Sequence, residues 1–544
     1  MTTIRTELRD AVAAARDRAV AGGELQIGDN APPAIVVAEP ARPEHGDYAT
    51  NVAMQLAPIA RAAPLQIAET LRRSLRLPAG IAEAVIEPPG FLNFRLDPGW
   101  VGSQVSAIRQ AGGAFGRSEI GRGQRVNVEY ISANPTGPLH IGNARGGFIG
   151  DVLASALEAT GRRVTREYYV NDFGSQVRDF GESVYLARTG QSGEAGYKGE
   201  YIERIAAEVP DDVLASVNPL PAIGAWAWNR VFDDIKATLA RLGMRFDVYT
   251  SERQLHDAGE VAEGIERLRA AGHVYEADGA IWFRATTFGD DKDRVLIRSN
   301  GAPTYFAADV AYLLDKFERG FDHLMYILGP DHHGDMARLK GATAALGHDP
   351  DAMEIIIYQH VRLAGGAKMS KRAGTFVTLD ELVSEVGPDA TRFFFVMRSA
   401  SQHLDFDLEL AKSQSSENPV YYVQYAHARC CSILRLAAER GVAAEESQAA
   451  DLLRHPAEQA LMRRLIALPD VIADAAERHA THELPRYAME VASLFSQFYR
   501  DCHVLSDEPA EAAISSARLA LVDATRQVLA NLLGLLGVSA PESM

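Results

Sequence analysis

The sequence predicts an α/β protein whose parallel sheet lies between a small α+β unit and an almost wholly helical region. Polar and apolar residues alternate over residues 125–131, and the apolar ones include β-branched types, which indicates a strand. Residues 148–157 are apolar at helical spacing, and residues 164–170 have the pattern of a second strand. The three segments together predict a parallel βαβ unit. Beyond residue 388 the chain carries helical patterns almost to its end.

The length of 544 residues is too great for one hydrophobic core, so several domains are expected. We place the α+β unit at residues 1–112 and the α/β domain at residues 113–380. Residues from about 185 to 300 depart from simple strand–helix alternation, which predicts an insertion between the two halves of the sheet. Connecting helices are expected at residues 381–412 and a helical bundle at residues 413–544.

The first unit is predicted to begin with an amphipathic helix at residues 2–21 and to contain strands at residues 34–38, 84–87 and 91–96. Arg, Asp and Glu alternate with Ala and Leu in the first of these segments, which is not the pattern of a secretory signal.

The composition is that of a soluble globular protein, with 47% hydrophobic residues and a mean hydropathy of -0.11. We find no apolar run of the length needed to span a membrane. Cys430, Cys431 and Cys502 are too few for a disulfide framework and lack the spacing of a zinc site. We therefore expect a cytoplasmic protein with buried, reduced cysteines and no protein-bound zinc.

The formal net charge of -17 disfavours a general affinity for nucleic acid. Any contact with RNA would have to come from local basic patches that act against the overall field.

The turn at residues 132–147, Ser-Ala-Asn-Pro-Thr-Gly-Pro-Leu-His-Ile-Gly-Asn-Ala-Arg-Gly-Gly, joins the end of the first predicted strand to the start of a helix. In an open α/β sheet this is where ligands bind. Gly137 and Gly142 let the backbone approach a ligand closely, and the helix dipole there favours an anion such as phosphate. His140 and Asn143 are spaced to lie near each other where the helix opens. A tight turn with an incidental histidine would carry the same residues.

A basic loop with the sequence Gly-Gly-Ala-Lys-Met-Ser-Lys-Arg-Ala-Gly follows at residues 365–374. A solvated surface turn is one interpretation. Lysine is scarce, however: outside this loop it occurs at only six positions. Two lysines within four positions therefore indicate a need for compact, mobile ammonium groups, which could close over a polyphosphate.

The two motifs, His-Ile-Gly-Asn at 140–143 and Lys-Met-Ser-Lys-Arg at 368–372, resemble the signature pair of class I aminoacyl-tRNA synthetases. The segments at 132–140, 166–174 and 418–426 are similar to those of the bacterial arginyl-tRNA synthetase family, as are those at 282–293 and 305–309. This resemblance runs almost from end to end.

The resemblance implies a Rossmann-like catalytic domain with an insertion, an N-terminal additional domain that binds tRNA and a C-terminal helical anticodon-binding domain. It implies ATP-dependent activation of L-arginine to arginyl-adenylate and transfer to the 3′ end of tRNA(Arg), with release of AMP and pyrophosphate. Mg²⁺ would enter with ATP. The partners would be tRNA(Arg), L-arginine and ATP. The protein would not associate with a membrane and would be a monomer.

The resemblance also implies site residues. The catalytic set, which stabilises charge on the phosphate oxygens, is His140, Asn143, Lys368 and Lys371. The ATP-binding set is Gly137, His140, Gly142, Asn143, Lys368, Met369, Ser370 and Lys371. Asn143 stands where the family pattern usually has histidine; an amide still donates a hydrogen bond but carries no charge.

The arginine-binding set implied by the resemblance is Glu129, Asn134, Tyr305, Asp309 and Asp331. Asp309 would bind the guanidinium, Tyr305 would lie alongside it, and Glu129 with Asn134 would hold the amino group. Glu252 is a further family-based candidate. From the sequence, Asp309 could equally be the N-cap of a helix at residues 310–317.

Several alternatives stay open at this point. Asp331, His332 and His333 could suggest a metal site, although adjacent histidines would share a metal awkwardly. Tyr421, Tyr422 and Tyr425, with Arg392 and Arg429, could be either an RNA contact or bundle core. The chain could also be another class I synthetase, or a tRNA-binding or arginine-sensing paralogue without catalysis.

Overall fold

The computed structural model describes residues 3–28, 31–193, 196–332, 334–364, 378–444 and 452–544. Its strands are β1 (Tyr48–Thr50), β2 (Ile81–Glu87), β3 (Phe91–Leu96), β4 (Arg125–Tyr130), β5 (Arg163–Val170), β6 (Val248–Ser251), β7 (Val274–Ala277), β8 (Ala280–Phe283), β9 (Arg294–Ile297), β10 (His323–Leu328), β11 (Met353–Ile357), β12 (Val361–Leu363) and β13 (Leu404–Phe406). The described α-helices are Ile4–Ala21, Val52–Ala60, Pro64–Ser74, Pro98–Ala111, Ile141–Ala159, Ser175–Thr189, Glu200–Glu208, Asp211–Leu214, Pro219–Arg241, Glu252–Asp257, Glu260–Ala270, Tyr305–Glu318, Asp335–Ala345, Leu379–Val396, Leu408–Lys412, Pro419–Glu439, Pro456–Ile466, Leu468–Glu477, Glu483–Asp501 and Ala512–Leu536.

The N-terminal unit is a three-stranded antiparallel sheet in the order β1-β3-β2, packed against helices. Its first helix, Ile4–Ala21, buries Leu8, Val12 and Ala15 at helical spacing and is capped by Thr3. The strand predicted at residues 34–38 is wrong: this apolar run contributes only a single bridge, from Ala38 to Ala49.

The central sheet is parallel throughout, with the strand order β11-β10-β4-β5-β6. Strand β4 pairs with β5 on one edge and with β10 on the other. The strand order therefore runs in opposite directions on the two sides of β4. This is a topological switch point, where parallel α/β sheets bind ligands. The predicted α/β fold class is confirmed.

The insertion contributes a second, antiparallel sheet in the order β7-β8-β9. A separate hydrophobic cluster joins this sheet to the helix Tyr305–Glu318 and to β10, with Phe283, Leu296 and Val310 at its centre. The insertion is therefore fixed to the carboxyl half of the central sheet through a core of its own.

The helix Ile141–Ala159 is buried along almost its whole length, because it packs between the central sheet and the C-terminal bundle. Its approach to β4 is close: a Cβ atom placed on Gly150 would lie 2.5 Å from the Tyr130 side chain. Only glycine fits at that position, so the direction of this helix relative to the sheet is tightly restricted.

The C-terminal region is a helical bundle whose central element is Ala512–Leu536. Contrary to the sequence-based expectation, the stretch Pro509–Leu536 is long and apolar enough to cross a membrane by length and composition, with a mean hydropathy of 1.4. In the structure 61% of that apolar window is buried inside the protein, which is typical of the core helix of a bundle. Cys430, Cys431 and Cys502 are buried free thiols.

Candidate active site

The turn after β4 bends sharply, and its backbone is held by hydrogen bonds from neighbouring strands. Ile131 and Ser132 have φ values of 68° and 41°, which non-glycine residues rarely adopt. The Ser132 hydroxyl donates to Glu129 Oε1 at 3.0 Å and accepts from Tyr169 N at 3.0 Å. This side chain therefore fixes the strained turn to both β4 and β5.

His140 is the N-cap of the helix Ile141–Ala159. Its Nδ1 accepts hydrogen bonds from Gly142 N at 3.1 Å and from Asn143 N at 3.3 Å. This geometry assigns the proton of the neutral ring to Nε2. The imidazole therefore supplies an acceptor for Gly142 N and a second acceptor for Asn143 N, which also donates to His140 O at 3.0 Å. Its ring orientation is fixed by the start of the helix.

The turn is also joined to the segment that carries the basic loop. Leu379 N donates to Leu139 O at 2.8 Å, and His140 forms a bridge with Thr378. Lys368, Met369, Ser370 and Lys371 lie outside the described residues. The described residue that follows their segment, Thr378, is therefore held directly against the histidine of the first motif.

Arg145 fixes the other end of the same region. It is fully buried in the helix Ile141–Ala159 and donates to Gln359 O at 2.7 Å and to Ser399 O at 2.9 Å. Gln359 N in turn donates to Ala400 O at 2.9 Å. Burial lowers the pKa of the Arg145 guanidinium to about 10. Arg145 thus clamps together the two backbone segments that enclose residues 360–398.

Acidic side chains gather at the carboxyl ends of β5 and β6. Burial raises the pKa of Asp309 to about 7, despite the opposing charge of Arg338. Burial, with the charges of Asp309 and Asp172, likewise raises the pKa of Glu252 to about 7. Burial and the charges of Glu252 and Asp309 also raise the pKa of Tyr169. We name this group, Tyr169, Asp172, Glu252 and Asp309, the acidic pocket.

The acidic pocket is rich in hydrogen-bond acceptors. Within the described ranges, the ion-pair partner of Glu252 is His256, with 3.8 Å between Nε2 and Oε1, and burial lowers the pKa of that ring. The Asn171 amide, oriented so that both its ends are satisfied, donates to Glu252 Oε2 at 2.9 Å. Two carboxyl groups with pKa values near 7, offset at Asp309 in part by the charges of Arg338 and His332, form a site complementary to a further cation.

Two neighbouring carboxylates are already neutralised. Glu129 is buried and accepts from the fully buried Lys316 Nζ at 2.6 Å. Both carboxylate oxygens of Glu167 accept from Arg319 NH2 at 2.9 Å, and Oε1 also accepts from the Tyr312 hydroxyl at 2.9 Å. Burial alone would raise the pKa of Glu167, but the charges of Lys316 and Arg319 lower it to about 2. These ion pairs hold the sheet to the helix Tyr305–Glu318.

The remaining predicted residues lie around the same edge of the sheet. Asn134 Nδ2 donates to Gln176 Oε1 at 2.6 Å, and the 51% exposed Tyr305 places its hydroxyl near Gly174. Asp331 is exposed at the end of β10. The alternative N-cap role of Asp309 is wrong, because the helix begins at Tyr305 and is capped by Thr304.

The proposed ATP side of the site is the first turn of the helix Ile141–Ala159. Gly142 and Asn143 are half-buried there, whereas most of the helix beyond them is buried. Gly137 lies under the ring of Tyr201, whose hydroxyl donates to Thr136 O at 3.0 Å. Among the described residues, no group of three or more His, Cys, Asp or Glu side chains is arranged to hold a metal ion.

Comparison with known proteins gives matches over nearly the whole chain. Residues 2–96 match the family described as the arginyl tRNA synthetase N terminal domain, and residues 423–544 match the DALR anticodon binding domain. Residues 104–195 and 218–399 match the class I (R) tRNA synthetase catalytic domain. The arginine–tRNA ligases of Heliobacterium modesticaldum and Moorella thermoacetica are 47% and 48% identical, each over 99% of this chain and over 99% and 98% of their own length. The chain belongs to the arginyl-tRNA synthetase family.

The fold comparison agrees with this membership. The solved structure of Thermus thermophilus arginyl-tRNA synthetase covers 99% of this chain and 100% of its own, with 25% identity and a TM-score of 0.79. The resemblance that the two sequence motifs indicated is confirmed, and this protein is a class I enzyme of the arginyl-tRNA synthetase family.

Sequence reasoning missed parts of the site in this family member. Tyr169 and Asp172 stand at the end of the predicted strand 164–170, so their position at the carboxyl edge of a parallel strand could have indicated them. Arg145 and Lys316 could not be found in this way, because their carbonyl and carboxylate partners lie 187 or more residues away in the chain.

The aromatic and basic residues proposed at the start of the bundle divide into two groups. Arg392 is buried and paired with Asp151. Tyr425 is 39% exposed, and the exposed guanidinium of Arg429 lies 4.8 Å from its ring centroid and 5.0 Å from that of Tyr499. The exposed group keeps the chemistry of a base-stacking surface, and Arg392 does not.

His140→Ala is expected to lower the free energy of unfolding by about 1 kcal/mol, because Gly142 N loses its side-chain acceptor and Asn143 N loses one of its two acceptors. His140→Asn should restore most of that loss, since asparagine is a favourable N-cap. Urea unfolding of both variants beside the wild type measures the difference. Equal stability of the alanine and asparagine variants would contradict a capping role for the imidazole.

Proposed function

We propose that this chain activates L-arginine with MgATP and transfers the arginyl group to the 3′ end of tRNA(Arg), with release of pyrophosphate and AMP. The observation that carries the proposal is the acidic pocket at the carboxyl edge of the parallel sheet. The family membership and the two signature motifs support the same reaction.

The acidic pocket fits a guanidinium for electrostatic reasons. Asp309 and Glu252 hold raised pKa values because burial removes water from their carboxylates and each lies near other acids. A guanidinium supplies a permanent charge and five planar donors that match two carboxylates. Its binding would keep both groups ionised. A glutamate side chain would meet repulsion here, which disfavours that alternative class I substrate.

We assign the carboxyl groups different roles according to their partners. Asp309 and Glu252 would bind the guanidinium, with Asp172 adding charge behind them and Tyr305 beside the substrate. Glu129 would hold the substrate amino group with Asn134 and Asp331, and its ion pair with Lys316 would fix the orientation of its carboxylate.

The chemistry needs no protein nucleophile. The arginine carboxylate would attack the α-phosphorus of ATP and pyrophosphate would leave; a ribose hydroxyl at the tRNA 3′ end would then attack the acyl carbon and AMP would leave. Gly137, Gly142 and the dipole of the helix Ile141–Ala159 would favour the phosphates. His140, Asn143, Lys368 and Lys371 would stabilise the developing charge, with Met369 and Ser370 in the same loop.

The domains would divide the work of holding tRNA. We propose that residues 1–112 contact the body of the tRNA and that residues 413–544 contact the anticodon. The exposed Tyr425, Arg429 and Tyr499 would stack on unpaired bases. Residues 113–380 would hold the reacting groups, and the connecting region 381–412 would join them. We further propose that one chain is sufficient, as a cytoplasmic monomer.

Arginine-dependent exchange of pyrophosphate into ATP tests the reaction. The assay compares arginine with a panel of other amino acids, with and without tRNA(Arg). Exchange with arginine alone supports the proposal, and a need for tRNA would show that the bundle and the catalytic site are coupled. Binding of tRNA without exchange for any amino acid would favour the non-catalytic paralogue instead.

Asp309→Asn is expected to raise the arginine KM about 10- to 100-fold, because a charge-assisted hydrogen bond to the guanidinium is lost. The ATP KM should change less than about threefold, since Asp309 would not contact the nucleotide. Glu318→Gln is the matched control: it removes an exposed carboxylate on the same helix that pairs with Arg267. Equal effects of Asp309→Asn on both KM values would remove Asp309 from the guanidinium site.

Arginine affinity is expected to fall as the pH decreases from 8 to 6. The carboxyl groups of Asp309 and Glu252, with pKa values near 7, would take up protons in the free protein, and a guanidinium would have to displace them. Calorimetry without ATP should therefore show proton release on arginine binding at pH 7, and less release in Asp309→Asn. Binding that is independent of pH over this range would contradict the assignment.

A further inference from the structure

Arg392 joins four elements through one buried guanidinium. It lies on the helix Leu379–Val396, beyond a break at Gly387, and is only 2% exposed. The guanidinium pairs with the carboxylate of Asp151 and donates from Nε to Leu536 O at 2.8 Å and from NH1 to Leu242 O at 2.7 Å. It therefore connects the helix that follows the basic-loop segment with the catalytic domain, the insertion and the C-terminal bundle.

The contact with Asp151 leads directly to the active site. Asp151 belongs to the helix Ile141–Ala159, ten residues beyond Ile141, where His140 caps the first turn. A helix of this length moves as a rigid rod, and Gly150 restricts its packing on β4. A shift imposed at Asp151 would therefore reach His140, Gly142 and Asn143.

The contact with Leu536 leads to the bundle. Leu536 is the last residue of the helix Ala512–Leu536, so its carbonyl lies at the negative end of the helix dipole, where a guanidinium is favoured. Gly537 follows with a φ of 65°, and a Cβ atom there would lie 2.2 Å from Arg392 NH2. The bundle thus ends directly against the guanidinium, with no room for a side chain between them.

The interface beside this contact is incompletely filled. A cavity of about 480 Å³ is lined by Asp151, Arg166 and Arg392 from one side and by Asn531, Gly534 and Gly537 from the other. A second link, from Ser539 N to Asp389 Oδ1 at 3.1 Å, joins the helix of Arg392 to the segment that follows the helix Ala512–Leu536. The Arg392 contacts therefore cross an interface that is only partly filled by side chains.

We propose that Arg392 is a positioning residue that sets the catalytic helix Ile141–Ala159 according to the position of the C-terminal bundle. Docking of tRNA on the bundle would be sensed at Leu536 and passed through the Arg392–Asp151 pair to the first turn of that helix. This inference rests on the proposed function, because its consequence is a change in the rate of arginine activation.

Gly537→Ala tests the inference without removing any polar group. Its added methyl would displace the guanidinium. Gly441→Ala is the matched control, because Gly441 has a φ of 70° in the same bundle and a Cβ atom there would meet nothing within 4 Å. Both variants place a side chain at a similar positive φ, so Gly441→Ala reports the effect of that backbone strain alone.

The expected result is a kcat for arginine activation, with tRNA saturating, about tenfold or more lower in Gly537→Ala, since small misplacements of reacting groups slow the chemistry steeply. The arginine KM and the tRNA Kd should stay within about twofold, because the substrate contacts are intact. Gly441→Ala should keep the wild-type kcat within about twofold, and its melting temperature should fall less than that of Gly537→Ala, where a buried guanidinium is also displaced.

Arg392→Lys is the second variant. Lysine keeps a charge for Asp151 but lacks the fork that reaches Leu242 O and Leu536 O together, so kcat should again fall with KM unchanged. Equal kcat values for Gly537→Ala and Gly441→Ala would overturn the inference and leave Arg392 a structural ion pair. Absence of arginine-dependent exchange in the wild type would instead overturn the proposed function.

Discussion

Strand β4 pairs in parallel with β5 on one edge and with β10 on the other, and the arrangement of the site depends on this double pairing. The pairing places the ends of β4, β5 and β10 at one edge of the sheet, where the chain leaves in opposite directions. The turn after β4 opens the buried helix at His140. The helix Tyr305–Glu318, which precedes β10, brings Asp309 to the same edge. One pairing pattern thus brings together residues far apart in the sequence.

The buried charges around that edge differ in what neutralises them. Glu129 and Glu167 are ion-paired with Lys316 and Arg319, and these pairs join the strands to a helix. Removing one partner from such a pair would leave an uncompensated buried charge, so each pair fixes its neighbours firmly. Asp309 and Glu252, by contrast, have pKa values that burial raises to about 7, and in the proposed function a cationic ligand would neutralise them. A rigid, neutralised frame around an electrostatically incomplete pocket is a physical basis for selecting a cation.

Much of this arrangement could be predicted from sequence where the pattern is local. The alternation at 125–131, the helical run after residue 140 and the βαβ spacing predicted the sheet correctly, because backbone pairing and burial impose those periods. The prediction of a strand at 34–38 was wrong, because an apolar run of five residues does not show whether another strand is present to pair with it. The membrane-length helix Pro509–Leu536 was missed, and its burial depends on the bundle around it.

The sequence by itself determined the family, the order of the domains and the residues of the two signature motifs, because short motifs and periodic burial are encoded locally. Only the tertiary structure decided which buried charges are satisfied. It made Arg392 a junction between four elements, gave Arg145 two carbonyl partners and removed the N-cap interpretation of Asp309. The physical reason is that the energy of a buried charge depends on partners brought close by packing, and sequence separation carries no information about that distance.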